Sequence, residues 1–176
     1  ALSEEQIALT TLVPAMIQAC LVMVPDVAER KYTKLRQIAY GAAPISEGTL
    51  RRAIEIFGCD FVQGYGMTET SAVLTLLSPA DHERALKDRP ELLRSCGRPI
   101  LGTEIRVVDA HDQPLPSGEI GEIVARGPQL MRGYWNMEEA TQAALAGGWV
   151  HTGEAGTIAA EGYRFFEDRV QDMIVS

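Results

Sequence analysis

The spacing of apolar residues in the first third of the chain predicts short strands that alternate with helices. Leu35 to Tyr40 has the apolar content and the length of a buried strand. Between Ser46, a favourable N-cap, and Phe57 the apolar side chains recur every three or four residues, and Gly58 can end the helix. Asp60 to Gln63 is a second short strand. This strand–helix–strand order is what a parallel α/β layer requires.

Two more helices are expected before this layer. Ser3, followed by Glu-Glu-Gln, is typical of a helix N-cap with acidic first-turn residues, which suit the helix dipole. Pro14 can open a second helix from Ala15 to Met23, whose apolar side chains would be buried.

After about Leu77 the pattern changes to polar, proline-containing sequence and then to alternating segments. Residues 78–95 predict a loop with a short helix. Beyond them, apolar and polar residues alternate between turns rich in Pro and Gly, which is typical of antiparallel hairpins. The predicted elements are strands at residues 104–108 and 119–126 joined by a turn at 111–118, a helix at 137–145, and two strands between residues 149 and 166. The chain is therefore predicted to have an α/β fold, in which the end of a parallel α/β layer is followed by a small β-rich, barrel-like piece.

Charge and composition exclude some classes of protein. The net charge of -8 argues against a nucleic-acid binder, because such a protein neutralises phosphates with a basic patch. The long apolar stretch from Thr11 to Val24 contains Pro14 and Gln18 and is too short to span a bilayer, so no transmembrane segment is expected. The polar, acidic start predicts no signal peptide.

The cysteines and histidines are too scattered to predict a zinc site. Three unpaired thiols suit a reducing compartment, so the prediction is a cytoplasmic protein. The residues concerned are Cys20, Cys59, Cys96, His82, His111 and His151.

Three glycine-containing loops carry the candidate chemistry. Gly41-Ala-Ala-Pro-Ile-Ser follows a predicted strand, where open α/β sheets bind ligands, although an ordinary strand-to-helix turn has the same pattern. Gln63-Gly-Tyr-Gly-Met-Thr-Glu-Thr also follows a strand and lacks the Gly-Lys-Ser/Thr of a phosphate-binding Walker loop. In this second loop an aromatic face could stack on a purine, a hydroxyl could bind a phosphate and a carboxylate could bind Mg²⁺. A tight turn around a buried tyrosine is the alternative.

The third loop, Gly148-Trp-Val-His-Thr-Gly-Glu-Ala-Gly, precedes a segment with Arg169. Carboxylates in glycine loops commonly bind ribose hydroxyls, and an arginine can bind a nucleotide's hydroxyls or phosphate. A hairpin with solvated charges is an equally good interpretation of the local pattern.

Taken in order, these loops resemble the adenylate-forming superfamily of acyl-CoA synthetases, peptide-synthetase adenylation domains and luciferases. The amino-acid sequences of these loops are most similar to those of bacterial medium- or long-chain fatty acyl-CoA ligases. The runs that carry the resemblance are Gly41-Ala-Ala-Pro, Gln63-Gly-Tyr-Gly-Met-Thr-Glu, Gly121-Glu-Ile-Val-Ala-Arg-Gly-Pro-Gln-Leu-Met-Arg-Gly-Tyr-Trp-Asn, Gly148-Trp-Val-His-Thr-Gly-Glu and Asp168-Arg-Val-Gln-Asp-Met-Ile-Val-Ser.

The resemblance implies an internal part of the large N-terminal domain of such an enzyme. Residues 1–77 would end the α/β adenylate-binding subdomain, and residues 78–97 would be a connecting loop. Residues 98–168 would form the β-barrel-like subdomain, and residues 169–176 would start the hinge to a C-terminal domain.

The resemblance also implies roles for single residues. Thr68 would bind the adenylate phosphate and Glu69 would help to hold Mg²⁺; these two are the expected catalytic residues. Tyr65 would pack on the adenine, and Glu154 and Arg169 would contact the ribose. Residues 121–136 are expected to be a structural signature. The remaining expected nucleotide-binding residues are Gly41, Ala42 and Ala43, which would border the adenine and the acyl pocket, with Gly64 and Gly66.

Two positions depart from the family pattern. Glu154 stands where the family usually has an Asp that binds both ribose hydroxyls, and its extra methylene moves the carboxylate by about one C–C bond. Gln171 stands where the hinge usually has Asp or Lys, and a neutral residue could shift the balance between the two domain orientations.

The implied activity is the conversion of a carboxylic acid, expected to be a fatty acid, to acyl-AMP with ATP and Mg²⁺, followed by transfer to CoA. The chain lacks the upstream phosphate loop and the C-terminal lysine of such enzymes, so it is expected to be inactive alone. Exposed apolar surface at the ends of the piece makes a homodimer plausible. A peptide-synthetase or luciferase-like adenylating enzyme and a non-catalytic adenylate-binding module remain the alternatives.

Overall fold

The computed structural model describes residues 2–43 and 45–169, with side chains described as far as Phe166. The described chain divides into two compact units. Among the described residues, the first unit lies within Ala1–Gly64 and Leu77–Arg94, and the second lies within Tyr65–Leu76 and Ser95–Ser176. These limits differ from the predicted break at residues 78–97, because residues 65–76 group with the second unit and residues 77–94 with the first. The division into functional subdomains stays a prediction.

The elements are numbered in chain order. The strands are β1 (Leu9–Leu12), β2 (Gln37–Gly41), β3 (Asp60–Tyr65), β4 (Thr75–Leu77), β5 (Arg98–Pro99), β6 (Glu104–Val108), β7 (Gly121–Arg126), β8 (Val150–Ile158) and β9 (Arg164–Arg169), and the α-helices are α1 (Pro14–Met23), α2 (Glu47–Phe57), α3 (Pro79–Lys87) and α4 (Glu138–Ala144).

The first unit contains a parallel arrangement of β1, β2 and β3, with β2 in the middle. Ile38 pairs with Phe61, and Gly41 pairs with Gly64 at the carboxyl ends of the strands. Parallel strands need a crossover, and α2 supplies it between β2 and β3. The predicted strand–helix–strand layer is therefore confirmed.

Local sequence explains the two helices of this layer. In α1, Pro14 occupies the first turn, where its missing N–H is not needed, and Ile17 and Leu21 are buried. In α2, the Ser46 side chain accepts a hydrogen bond from the Thr49 amide, and Gly58 ends the helix in the left-handed region at φ 59°. Both predicted helices are confirmed.

One predicted helix is wrong. Residues 2–6, including Ser3, form turns rather than a helix, and Gln6 has a positive φ of 51° that a right-handed helix cannot accommodate. The predicted short helix within residues 78–95 is confirmed as α3, where Ser78 and Asp81 form a reciprocal capping box.

The second unit contains an antiparallel sheet in the order β6-β7-β8-β9. Its buried residues Leu74, Ile105, Val107, Ile123 and Ala125 form one apolar cluster, and Tyr65 packs against it. The register shifts between Glu122 and Val124 where β7 pairs with β8, and again between Ala155 and Gly156 where β8 pairs with β9. The predicted hairpins and the predicted helix at 137–145 are confirmed, and so is the fold class.

In the part of the chain that the structure describes, no helix is long and apolar enough to cross a membrane. Among the described α-helices the longest, α2, has 11 residues, whereas a bilayer needs about 20.

Candidate functional site

Tyr65, the last residue of β3, links the second glycine loop to the third. Its ring packs against the apolar cluster of the second unit, and its hydroxyl donates a hydrogen bond to Oε2 of Glu154. Burial raises the pKa of Tyr65 far above its usual value, and the Glu154 carboxylate adds to this shift. A phenol is protonated at neutral pH even at its usual pKa of about 10, and the raised pKa keeps Tyr65 a donor to higher pH. The sequence predicted both residues at a nucleotide site, but not the bond between them.

The backbone of β8 fixes the position of Glu154. The buried Thr152 hydroxyl donates to the carbonyl oxygen of Ile123 at 2.7 Å and accepts from the amide of Glu154 at 3.1 Å. Gly153 has φ 69°, and its amide donates to Oε1 of Glu122 at 3.0 Å. This irregularity falls where the register of β7 and β8 shifts, and such bulges re-aim side chains.

Thr68 and Glu69 lie in a short 3₁₀ turn, Thr68–Thr70, directly after the Tyr65 loop. The buried Thr70 hydroxyl closes the turn with hydrogen bonds to the amide and the carbonyl of Met67, both at 3.0 Å. Ser71 and Ala72 follow with φ of 51° and 81°, which cost energy in residues other than glycine. This tight turn leaves Thr68 exposed and Glu69 half-buried.

Glu69 is held by residues within 121–136, a segment that was predicted to have only a structural role. The Tyr134 hydroxyl donates to Oε1 of Glu69 at 2.7 Å, and the amide of Met131 donates to the Glu69 carbonyl at 2.8 Å. The Ser71 hydroxyl donates to the carbonyl of Gln129 at 2.7 Å. The hydrogen bond to Glu69 raises the pKa of Tyr134. Sequence reasoning missed Tyr134, although it lies in Met131-Arg-Gly-Tyr-Trp-Asn, one of the runs that carried the resemblance.

Two of the motif glycines are needed for backbone contacts. A Cβ atom at Gly41 would overlap the carbonyl oxygen of Gly64 on the neighbouring strand, and one at Gly66 would overlap the carbonyl oxygen of Ala72. Ala42 has a positive φ of 65°, a strained conformation of the kind found at ligand sites. The roles of Gly41, Ala42, Ala43, Gly64 and Gly66 toward a ligand stay predictions.

Arg169 ends β9 directly opposite Glu154 in the register of β8 and β9. The backbone pairing therefore brings these two predicted ribose residues next to each other. The Arg169 side chain and the whole of Gln171 lie outside the described residues.

Glu69 is the candidate protein ligand for Mg²⁺. Within residues 2–43 and 45–169, no three His, Cys, Asp or Glu side chains lie together as ligands. Mg²⁺ in phosphate sites takes one or two carboxylates and completes its shell with phosphate oxygens and waters. Glu69, whose Oε2 has no hydrogen-bond partner in the described part of the chain, fits that requirement as a single protein ligand beside a bound triphosphate.

Tyr65 and Glu154 thus join two of the loops on which the resemblance to a known family rests. The family model of AMP-binding enzymes matches residues 1–135, which is most of the chain, and the chain belongs to that family.

Similar proteins differ in what their names say they act on. The chain is 39% identical to the medium/long-chain-fatty-acid–CoA ligase FadD8 of Mycobacterium tuberculosis, over 99% of this chain and 29% of that protein. It is 37% identical to the fatty acid–[acyl-carrier-protein] ligase ScoC of Streptomyces coeruleorubidus, over 93% of this chain and 30% of that protein. The amide bond synthetase McbA of Marinactinospora thermotolerans superposes with a TM-score of 0.88 at 34% identity, over 99% of this chain and 35% of McbA. The chain thus spans about a third of the length of these proteins.

Proposed function

We propose that this chain is the central part of an AMP-forming acid–CoA ligase that activates a fatty acid. In the first half-reaction a carboxylate oxygen attacks the α-phosphorus of ATP, and the bond to the β-phosphate breaks, which gives acyl-AMP and pyrophosphate. In the second, the CoA thiol attacks the acyl carbon and AMP leaves. The support is membership of the AMP-binding family together with relatives named for fatty-acid activation.

The observation that carries the proposal is the hydrogen bond between Tyr65 and Glu154. It joins two of the motifs predicted to bind the nucleotide within one compact unit. Tyr65 would present its ring face to the adenine while its hydroxyl stays on Glu154. Arg169, paired with Glu154 across β8 and β9, would contact the ribose.

Thr68 and Glu69 would act on the phosphates. The exposed Thr68 hydroxyl, which has no hydrogen-bond partner among the described residues, would donate to the α-phosphate. Glu69 would hold Mg²⁺ through Oε2. When bound, Mg²⁺ neutralises phosphate charge; the chain's own residues orient the nucleotide for in-line attack.

The acyl pocket is proposed within the first unit. One side of α1 buries Ile17 and Leu21, whereas Met16, Val22 and Met23 are 51%, 74% and 76% exposed. An aliphatic acid would suit this apolar surface and the loop after β2 that contains Ala42 and Ala43.

The proposal that CoA accepts the acyl group is more specific than the proposal that the acid is adenylated. Relatives of similar identity are named for CoA and carrier-protein acceptors, and a structural neighbour is named for amide synthesis. The chain alone is expected to be inactive, since the resemblance implies that a phosphate loop and a catalytic lysine belong to other segments.

A non-catalytic adenylate-binding module is the second candidate. The departure at Glu154 favours it: Oε2 already accepts the Tyr65 hydroxyl, so the ribose would be oriented less firmly for reaction even where the nucleotide binds.

Exchange of labelled pyrophosphate into ATP separates the candidates. The intact protein that contains this chain is tested with a panel of acids, beside its Glu69→Gln variant and the 176-residue chain. We expect exchange only with aliphatic acids, about 100-fold slower for Glu69→Gln and absent for the chain alone. AMP binding without exchange for any acid would favour the module, and absence of both would refute adenylate recognition.

A further inference from the structure

The segment from Gln129 to Tyr134 grips the turn that carries Glu69 at three points. The backbone of this segment accepts a hydrogen bond from the Ser71 hydroxyl and donates one to the Glu69 carbonyl. The Tyr134 side chain makes the third contact, in which its hydroxyl donates to the Glu69 carboxylate. The first two contacts fix the backbone of the turn. Only the third acts on the carboxylate.

The position of Tyr134 is itself fixed by α4. Its amide donates to Oγ1 of Thr141 at 2.9 Å, and the Thr141 hydroxyl donates to the carbonyl of Met137 at 2.8 Å. Gly133 has φ 148°, and a Cβ atom there would lie 2.6 Å from Cγ2 of Thr141. The glycine thus lets the chain pass close to α4, and the tyrosine hydroxyl is delivered from a fixed backbone.

The hydrogen bond from Tyr134 occupies only one of the two carboxylate oxygens of Glu69. Oε1 accepts from Tyr134, and Oε2 has no hydrogen-bond partner in the described residues. A free glutamate side chain samples several rotamers, whereas Mg²⁺ demands near-ideal octahedral geometry. Groups that orient a metal-binding carboxylate contribute typically ~10–100-fold to metal affinity.

We propose that Tyr134 is a positioning residue: its hydroxyl fixes Oε1 of Glu69 so that Oε2 faces the Mg²⁺ of a bound Mg²⁺–nucleotide complex. This role rests on the proposed function. It assigns to the Gly-Tyr-Trp run a task at the phosphate end of the site, beyond a structural role in the β-rich unit.

The test compares two forms of one ligand in the intact protein that contains this chain. Dissociation constants of α,β-methylene-ATP are measured by calorimetry with Mg²⁺ and, separately, with EDTA. For Tyr134→Phe we expect about a tenfold weaker affinity for the Mg²⁺ form and less than about a twofold change for the metal-free form. Trp135→Phe, at a neighbouring side chain that is 89% exposed, is the matched control and should change neither.

A double-mutant cycle shows whether the effect acts through Glu69. In a Glu69→Gln background, Tyr134→Phe should weaken the Mg²⁺ form by less than about twofold, because the oriented carboxylate is already absent. Thr141→Val, which removes the anchor of Tyr134, should give the same selective loss in smaller degree. The ratio of the two dissociation constants serves as the readout even if a variant is less stable.

Three results would overturn the role of Tyr134. These are equal weakening of both ligand forms, no change in either, or a full effect of Tyr134→Phe in the Glu69→Gln background. A wild-type protein that binds neither form would instead refute the proposed function, and the positioning role with it.

Discussion

Two tyrosine–glutamate hydrogen bonds in the second unit use the same chemistry in different surroundings. Tyr65 packs against the apolar cluster and donates to Glu154, whereas Tyr134 is 37% exposed and donates to Glu69. Burial is the largest cause of the raised pKa of Tyr65. For Tyr134 the largest cause is the hydrogen bond to Glu69.

The Tyr65–Glu154 pair therefore belongs to the core of the unit, and the Tyr134–Glu69 pair belongs to its surface. The hydrogen bond between Tyr65 and Glu154 is part-buried beside the apolar cluster, so a Glu154 carboxylate that loses this donor is left poorly solvated, and the pair should contribute to stability. An exposed pair exchanges easily with water and contributes little to stability. The Tyr134 pair should therefore affect the orientation of Glu69 more than folding.

Removal of each aromatic ring should give the largest contrast. Tyr65→Ala should lower the free energy of unfolding by about 3 kcal/mol, because it leaves a cavity beside the apolar cluster and leaves the Glu154 carboxylate without its donor. Tyr134→Ala should lower it by less than about 1 kcal/mol. Urea unfolding of the intact protein, followed by tryptophan fluorescence, measures both. Equal losses would mean that the two pairs do not differ as described.

Shortening each carboxylate should give a smaller contrast. Glu154→Asp should cost about 1 kcal/mol, since the shorter side chain no longer reaches Tyr65, while Glu69→Asp should cost less than about 0.5 kcal/mol. Thermal melts measure the stability of both variants.

The Glu154→Asp variant also sharpens the interpretation of this departure from the family. With both oxygens freed from Tyr65, AMP should bind at least as tightly as to the wild type, as judged by calorimetry. Weaker AMP binding would mean instead that the glutamate held by Tyr65 is the binding-competent form.

Alkaline pH should give the smallest contrast. The pKa of Tyr65 is raised in the folded state, so its stabilising contribution is complete below the unfolded pKa of about 10 and is lost as the pH rises above it. Between pH 9 and 10.5 this one group should account for less than about 1 kcal/mol of lost stability. Tyr65→Phe should remove that part of the decline in a series of urea unfolding curves, whereas Tyr134→Phe should remove less. Identical pH profiles for both variants would contradict the difference in burial.

Most of the regular structure followed from local signals. Ser46 and Gly58 marked the ends of α2, Pro14 marked the start of α1, and alternation marked the hairpins. Ser3 shows the limit of such signals, since an N-cap and acidic residues were present without a helix. Nucleation of a helix is unfavourable, so a short helix forms only where tertiary packing stabilises it, and the local sequence does not indicate that packing.

The candidate site was only partly predictable. Tyr65, Thr68, Glu69 and Glu154 were identified from motif order, but Tyr134 was assigned to structure. An exposed tyrosine in a glycine-containing loop has no local feature that indicates a carboxylate partner 65 residues away.

The sequence by itself determined the order of the motifs, the family and most elements, because caps, glycines and apolar spacing act over a few residues. The tertiary structure alone decided that Tyr65 meets Glu154, 89 residues later, and that Tyr134 holds Glu69. These contacts depend on strand register, on the bulge at Gly153 and on the anchoring of Tyr134 by Thr141. Such distant pairings form only when the whole unit packs, and no short stretch of sequence encodes them.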